Sequence, residues 1–144
     1  MLKWVVSQGR SLVLMATPRL RIRIILANSA ILGPTKIALL EAVEATGSIH
    51  AAARSLGISY RYVWRAVQSV NDMLRSPAVV TEVGGYTRGG AKLTAAGKQV
   101  VAIYHAIESL AHTASFHELQ ALATMSRKQK HQPSKRATER LEKI

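Results

Sequence analysis

Residues 47–73 read Gly47-Ser-Ile-His-Ala-Ala-Ala-Arg-Ser-Leu-Gly-Ile-Ser-Tyr-Arg-Tyr-Val-Trp-Arg-Ala-Val-Gln-Ser-Val-Asn-Asp-Met73. The pattern predicts two helices meeting at a tight turn, a helix-turn-helix. Ser48 is placed to cap the first helix, its hydroxyl accepting a free backbone N–H of the first turn. Ala51, Ala52 and Ala53 keep that helix slim, so a second helix can cross it closely. Leu56 and Ile58 are expected to plug the angle between the two. Gly57 supplies the turn, with a left-handed backbone that other residues adopt only at a cost. Ser59 caps the second helix.

The second helix sorts its residues by face. At about 100° per residue, Val63, Ala66, Val67, Val70, Met73 and Leu74 share one side. Arg61, Arg65, Gln68 and Asp72 fall on the opposite side, within an arc of roughly 60°. Tyr60 and Trp64 stand at one border, Tyr62 and Ser69 at the other. Arg is the commonest specific reader of guanine in the major groove, and Gln suits adenine. An ordinary amphipathic helix with a solvated charged face has the same pattern. The alanine-rich helix, the glycine turn and the basic setting favour DNA.

That setting is the whole chain. Its 144 residues suggest one domain with tails, and a hydrophobic fraction of 48% is enough for a packed core. A net charge of +12 and a pI near 10.8 favour an anionic partner, nucleic acid before a membrane surface. Cysteine is absent, which excludes disulfides and thiolate chemistry and fits a reducing cytoplasm. Apolar runs fall far short of the ~20 residues of a membrane span. No secretory signal is read in the interrupted N-terminus.

Upstream, residues 1–18 carry no clear pattern and are expected to be an extension. Met15 is a candidate start, which intact-mass spectrometry would test. Arg19 to Leu26 alternates charged and apolar residues, predicting a half-buried strand. Arg19, Arg21 and Arg23 either touch phosphate or keep a sheet edge soluble; the second role is the expectation. Asn28–Gly33 reads as a loop. Pro34 opens a helix whose stripe is Ile37, Leu39, Leu40 and Val43, and Gly47 stops it.

Downstream, Pro77 breaks the helix that is expected to reach about Arg75. Val79–Val83 and Ala91–Leu93 predict strands joined by the glycine-flanked tip Gly84–Gly90, a β-hairpin. Directly after a helix-turn-helix, such a hairpin is a wing. Arg88 and Lys92 are placed for phosphates, and Tyr86 or Arg88 for a minor groove. A nucleotide loop is set aside, because Ala91 stands where lysine is required. Thr94 caps a long helix from Ala95 toward Thr113. Val100, Tyr104, Ile107, Ala111 and Ala114 are spaced 4, 3, 4 and 3, a heptad-like stripe that Ile103 and Leu110 broaden. It suits packing on its own domain and on a second copy. Helical pattern resumes over His117–Met125. Residues 126–144 hold seven Lys or Arg against two Glu, predicting a disordered basic tail that either adds DNA affinity or is an inert end.

Leu32–Glu108 resembles the DNA-binding domain of ModE-type molybdate-responsive regulators and, more distantly, LysR-type domains. Thr46-Gly-Ser-Ile, Ala51-Ala-Ala, Leu56-Gly-Ile-Ser-Tyr and Val63-Trp64 carry the likeness. Gly84-Gly85, Gly89-Gly90-Ala91, Leu93-Thr94, Gly97 and Tyr104 extend it. The resemblance implies a mainly α winged helix-turn-helix with a small β-hairpin wing, and a homodimer joined through the long C-terminal helix. It makes the helix from Ser59 the recognition helix, with Arg61, Trp64 and Arg65 toward DNA. The expected base-reading set is then Ser59, Arg61, Trp64, Arg65 and Gln68. Arg54, Tyr62, Tyr86, Thr87, Arg88, Lys92 and Lys98 form the phosphate and wing set. Val100, Tyr104, Ile107 and Ala111 form the dimer set. ModE-type regulators continue into molybdate-binding domains whose motif is not seen here. Molybdate sensing is therefore not carried over, and a separate effector-sensing protein stays open as a partner.

No catalytic or metal site and no cofactor is expected. His50, His105, His112, His117 and His131 lack a ligand set, because only His105 and His112 could share a helix face. Glu41 and Glu44 read as a solvated face rather than an acid–base pair. The reading is a sequence-specific regulator binding a palindrome on double-stranded DNA. A non-specific chromosome-coating protein and a protein-interaction module are the alternatives.

Overall fold

A computed structural model describes residues 18–82 and 89–127. The N-terminal extension up to residue 17, the wing tip from Val83 to Arg88 and the basic tail from residue 128 onward lie outside these residues. Arg19–Ser115 forms one compact unit. It holds β1 (Ile24–Ile25), β2 (Ile31–Leu32), α1 (Pro34–Thr46), α2 (Ile49–Leu56), α3 (Tyr60–Met73), β3 (Val79–Thr81), β4 (Ala91–Leu93) and α4 (Ala95–Ala114). A further helix, α5 (Phe116–Met125), belongs to a separate unit and buries Leu119.

Each helix boundary has a local cause. Pro34 opens α1, and Gly47 ends it at φ 75°, with its N–H on the Val43 carbonyl at 2.9 Å. Ser48 Oγ accepts the Ala51 N–H at 2.9 Å to start α2, and Gly57 ends it at φ 66°. Ser59 Oγ accepts the Tyr62 N–H at 3.2 Å to start α3. Thr94 Oγ1 accepts the Gly97 N–H at 3.1 Å to start α4.

The core gathers Ile37, Leu39, Leu40 and Val43 of α1, Ala52 and Ala53 of α2, and Val63, Val67, Val70 and Met73 of α3. The small side chains of α2 let the neighbouring helices come close. Leu56 and Ile58 depart from expectation. They are 40% and 37% exposed, because alanines already fill the angle between the helices.

The two hairpins are short. β3 pairs antiparallel with β4, Val79 opposite Leu93 and Thr81 opposite Ala91. The Ala91 N–H also donates to the Gly47 carbonyl at 2.8 Å, tying the hairpin to the α1–α2 turn. β1 pairs antiparallel with β2, Ile24 opposite Leu32. Residues 28–33, expected as a loop, thus contain a strand. The expected strand from Arg19 keeps its alternation, with the arginines exposed and Leu20, Ile22 and Ile24 half-buried, but pairs only at Ile24–Ile25. Its partner ends where Gly33 and Pro34 start α1, so little backbone remains to pair.

Candidate nucleic-acid interface

The exposed face of α3 follows from how the helix is buried. Val63, Val67 and Val70 are sealed in the core, which turns the other face outward. Arg61 and Arg65 are exposed there, Trp64 is 44% exposed, and Gln68 is half-buried. Trp64, Arg65, Gln68 and Asp72 line one open cleft with Asn28 of the β1–β2 turn. These groups can meet base edges: two guanidinium forks, an amide, and a carboxylate that suits the cytosine amino group. Ser59 stands at the N-terminus of the same helix, but its oxygen already accepts the Tyr62 N–H, leaving its O–H to donate.

The expected phosphate groups divide. Arg54 and Tyr62 are exposed. Lys92 is paired with Glu82 at 3.0 Å, and Lys98 with Glu44 at 3.5 Å. Both pairs are solvent-exposed and so worth about 0–1 kcal/mol, which DNA phosphates can displace. Tyr86, Thr87 and Arg88 lie outside the described residues.

The expected dimer set also divides. Tyr104 is 1% exposed, and its hydroxyl donates to the Ile22 carbonyl at 2.7 Å. It is a core residue of this unit, with no surface left for a partner. Val100 is half-buried against the same core. Ile107 is exposed and Ala111 half-buried, whereas Ile103 and Leu110 are 51% and 71% exposed. The free apolar surface of α4 is therefore Ile103, Ile107 and Leu110, one step round the helix from the expected stripe.

Residues 34–98 match the family model for bacterial regulatory helix-turn-helix proteins of the lysR family. This segment is a LysR-type DNA-binding domain. The LysR-type domain is similar to molybdenum-pterin-binding protein MopB of Rhodobacter capsulatus, 46% identical over 57% of this chain and 30% of that protein. Molybdenum transport protein ModE of Azotobacter vinelandii is 43% identical over 54% of this chain and 28% of its own. The DNA-binding transcriptional dual regulator ModE of Escherichia coli K12 is 35% identical over 49% of this chain and 27% of its own. The chain thus spans less than a third of each of these relatives. ArgP from Mycobacterium tuberculosis overlays with a TM-score of 0.40 at 28% identity, over 65% of this chain and 31% of that one.

Two features of this unit went unread in the sequence. Asn71, on the inner border of α3, accepts the Ala78 and Val79 N–H groups on Oδ1, at 2.8 and 3.0 Å. Its Nδ2 donates to the Val79 carbonyl at 3.0 Å. One side chain thereby fixes the β3–β4 hairpin to α3. The second is a charged seam between α1 and α4. His105 Nε2 meets Glu41 Oε1 at 2.5 Å, and its Nδ1 meets Glu108 Oε2 at 3.1 Å. Glu41 and Glu44 are exposed, as expected of a solvated face, and there they meet His105 and Lys98 of α4.

Two carboxylates can both be satisfied only by a doubly protonated imidazole. The hydrogen bond to Glu41 and then that to Glu108 raise the His105 pKa above its ordinary 6.5. Since the folded value is raised, the stabilisation is complete below the unfolded pKa and is lost as pH rises through the folded one. The melting temperature of the wild-type chain should therefore exceed that of His105→Gln most at about pH 5.5, with the gap closing toward about pH 9. A gap of constant size across that range would refute the coupling. Among the described residues, no group of three His, Cys, Asp or Glu could hold a metal, and no helix is long and apolar enough to cross a membrane.

Proposed function

We propose that this chain is a sequence-specific transcription regulator that binds a palindromic site on double-stranded DNA as a homodimer. The observation that carries the reading is the α3 face, which holds Arg61, Trp64, Arg65 and Gln68 clear of a core sealed by Val63, Val67 and Val70. The exposed Ile103, Ile107 and Leu110 of α4 support pairing with a second copy, since covering such a stripe is the ordinary means of helix association. A two-fold pair would set two α3 helices in successive major grooves, about 34 Å apart. The similarity to proteins named for molybdenum transport makes molybdenum-dependent genes the first targets to examine.

The test is to select fragmented genomic DNA with purified protein at about 150 mM salt, where screening is near physiological. A recurring palindrome is expected. Retention without a motif would replace this reading with a chromosome-coating protein, and retention of nothing with a protein-interaction module. Arg65→Ala should then cost about 1–3 kcal/mol on the selected site and little on random DNA. Equal losses on the two duplexes, measured by fluorescence anisotropy, would remove Arg65 from base reading.

A further inference from the structure

We infer that Arg21, Arg23 and Lys36 form a second phosphate clamp, on the side of α3 away from the wing. The inference rests on the DNA-reading role proposed above and adds where the second DNA strand is held.

Arg21 and Arg23 leave the exposed side of the segment before β1, and Lys36 lies in the first turn of α1. The three line one open cleft of about 570 Å3, together with Tyr62 and Ala66 of α3. The position of that cleft follows from helix geometry. Tyr62 and Asn71 are nine residues apart, which at about 100° per residue puts them half a turn from each other. Asn71 holds the β3–β4 hairpin, so the cleft beside Tyr62 is on the opposite bank of the helix.

The charges in this cleft are free to act. Among the described residues, no carboxylate lies within ion-pair distance of Arg21, Arg23 or Lys36, whereas Lys92 and Lys98 each have one. Lys36 Nζ donates to the Ile31 carbonyl at 2.7 Å, which fixes the ammonium and leaves two donors. Gly33 caps α1 without a side chain, so the positive end of that helix adds to the field here. A helix in a major groove about 12 Å wide has phosphates along both of its flanks. The wing serves one flank, and this cleft faces the other. Protection of a sheet edge explains exposed arginines, but not their convergence with Lys36 and Tyr62 on one cleft.

The test uses the full chain carrying Arg21→Gln and Arg23→Gln, titrated by anisotropy against a selected and a random duplex over a range of salt. In the proposed dimer the double variant removes two phosphate contacts from each protomer, four in all, so the slope of log K against log salt should become shallower by about four, with both duplexes weakened alike. Arg21→Lys with Arg23→Lys should keep the slope. Lys36→Gln, on a different element, removes one contact from each protomer and should lower it by about two. Slopes unchanged in the glutamine variants, while the wild-type chain binds, would overturn the clamp and leave base reading intact. Self-association of the double variant in sedimentation velocity, with an unchanged slope, would assign the arginines to edge protection instead. Failure of the wild-type chain to bind either duplex would overturn both readings.

Discussion

Gly97→Ala is expected to destabilise the domain by about 3 kcal/mol. Gly97 is buried in the first turn of α4, and a Cβ there would stand 2.2 Å from the Ala78 carbonyl oxygen and 2.5 Å from Leu93 Cδ2. The leucine methyl can turn aside, but the backbone carbonyl cannot yield cheaply. The Ala78 carbonyl already accepts the Thr94 N–H at 2.9 Å, and the Thr94 hydroxyl donates to the adjoining Pro77 carbonyl at 2.6 Å, so moving this segment would disturb the residue that caps α4. Alanine is the better helix former by about 1 kcal/mol, which opposes the clash but is smaller. Urea melts of the two proteins would decide between these effects. Equal or greater stability of the variant would show that the hairpin can shift to make room. Because Ala78 leads directly into β3, a folded Gly97→Ala protein should also hold its wing in a different place and bind DNA less well.

Asn71→Leu should cost about 2–3 kcal/mol. The side chain makes three hydrogen bonds to the backbone of Ala78 and Val79, all partly buried. Leucine would leave two N–H groups and a carbonyl without that partner, each worth about 1 kcal/mol or more where water cannot replace it. Asn71→Asp is the informative companion. A carboxylate still accepts both N–H groups and loses only the donation to Val79, so it should fall between wild type and Asn71→Leu. Midpoints for Asn71→Leu within about 0.5 kcal/mol of wild type would mean that solvent substitutes for the asparagine.

Locally encoded features were the legible ones. Ser48, Ser59, Gly47 and Gly57 act on their own helix ends, so the helix-turn-helix and its boundaries could be read directly from spacing. The face of α3 was legible for the same reason, since its valines repeat with the helix. Features that depend on a distant partner were not. The asparagine at position 71 resembles any polar residue at the border of a helix until Ala78 and Val79 are placed beside it. Tyr104 fits a heptad, but spacing does not say which core receives it. The Ile22 carbonyl settles that, from the other end of the unit. Glu41 met His105 across 64 residues, a pairing no local window contains. β2 is two residues long and hidden between a turn and a proline. Alternation over Arg19–Leu26 reported burial correctly and pairing poorly, because a ladder needs a neighbouring strand of equal length.

The Tyr104–Ile22 hydrogen bond spans 82 residues and bears on how the protein is made. A ribosome adds about 5–20 residues per second, so Ile22 emerges roughly 4 to 16 s before the tyrosine that anchors it. During that interval the nascent N-terminal strand carries Leu20, Ile22 and Ile24 without their full cover. The helix-turn-helix, whose contacts are close in sequence, can assemble while α4 is still being synthesised. The N-terminal strand is then the last piece to lock. The arginines interleaved with its apolar residues are exposed in the folded unit, a pattern that suits a segment left uncovered while the chain is made.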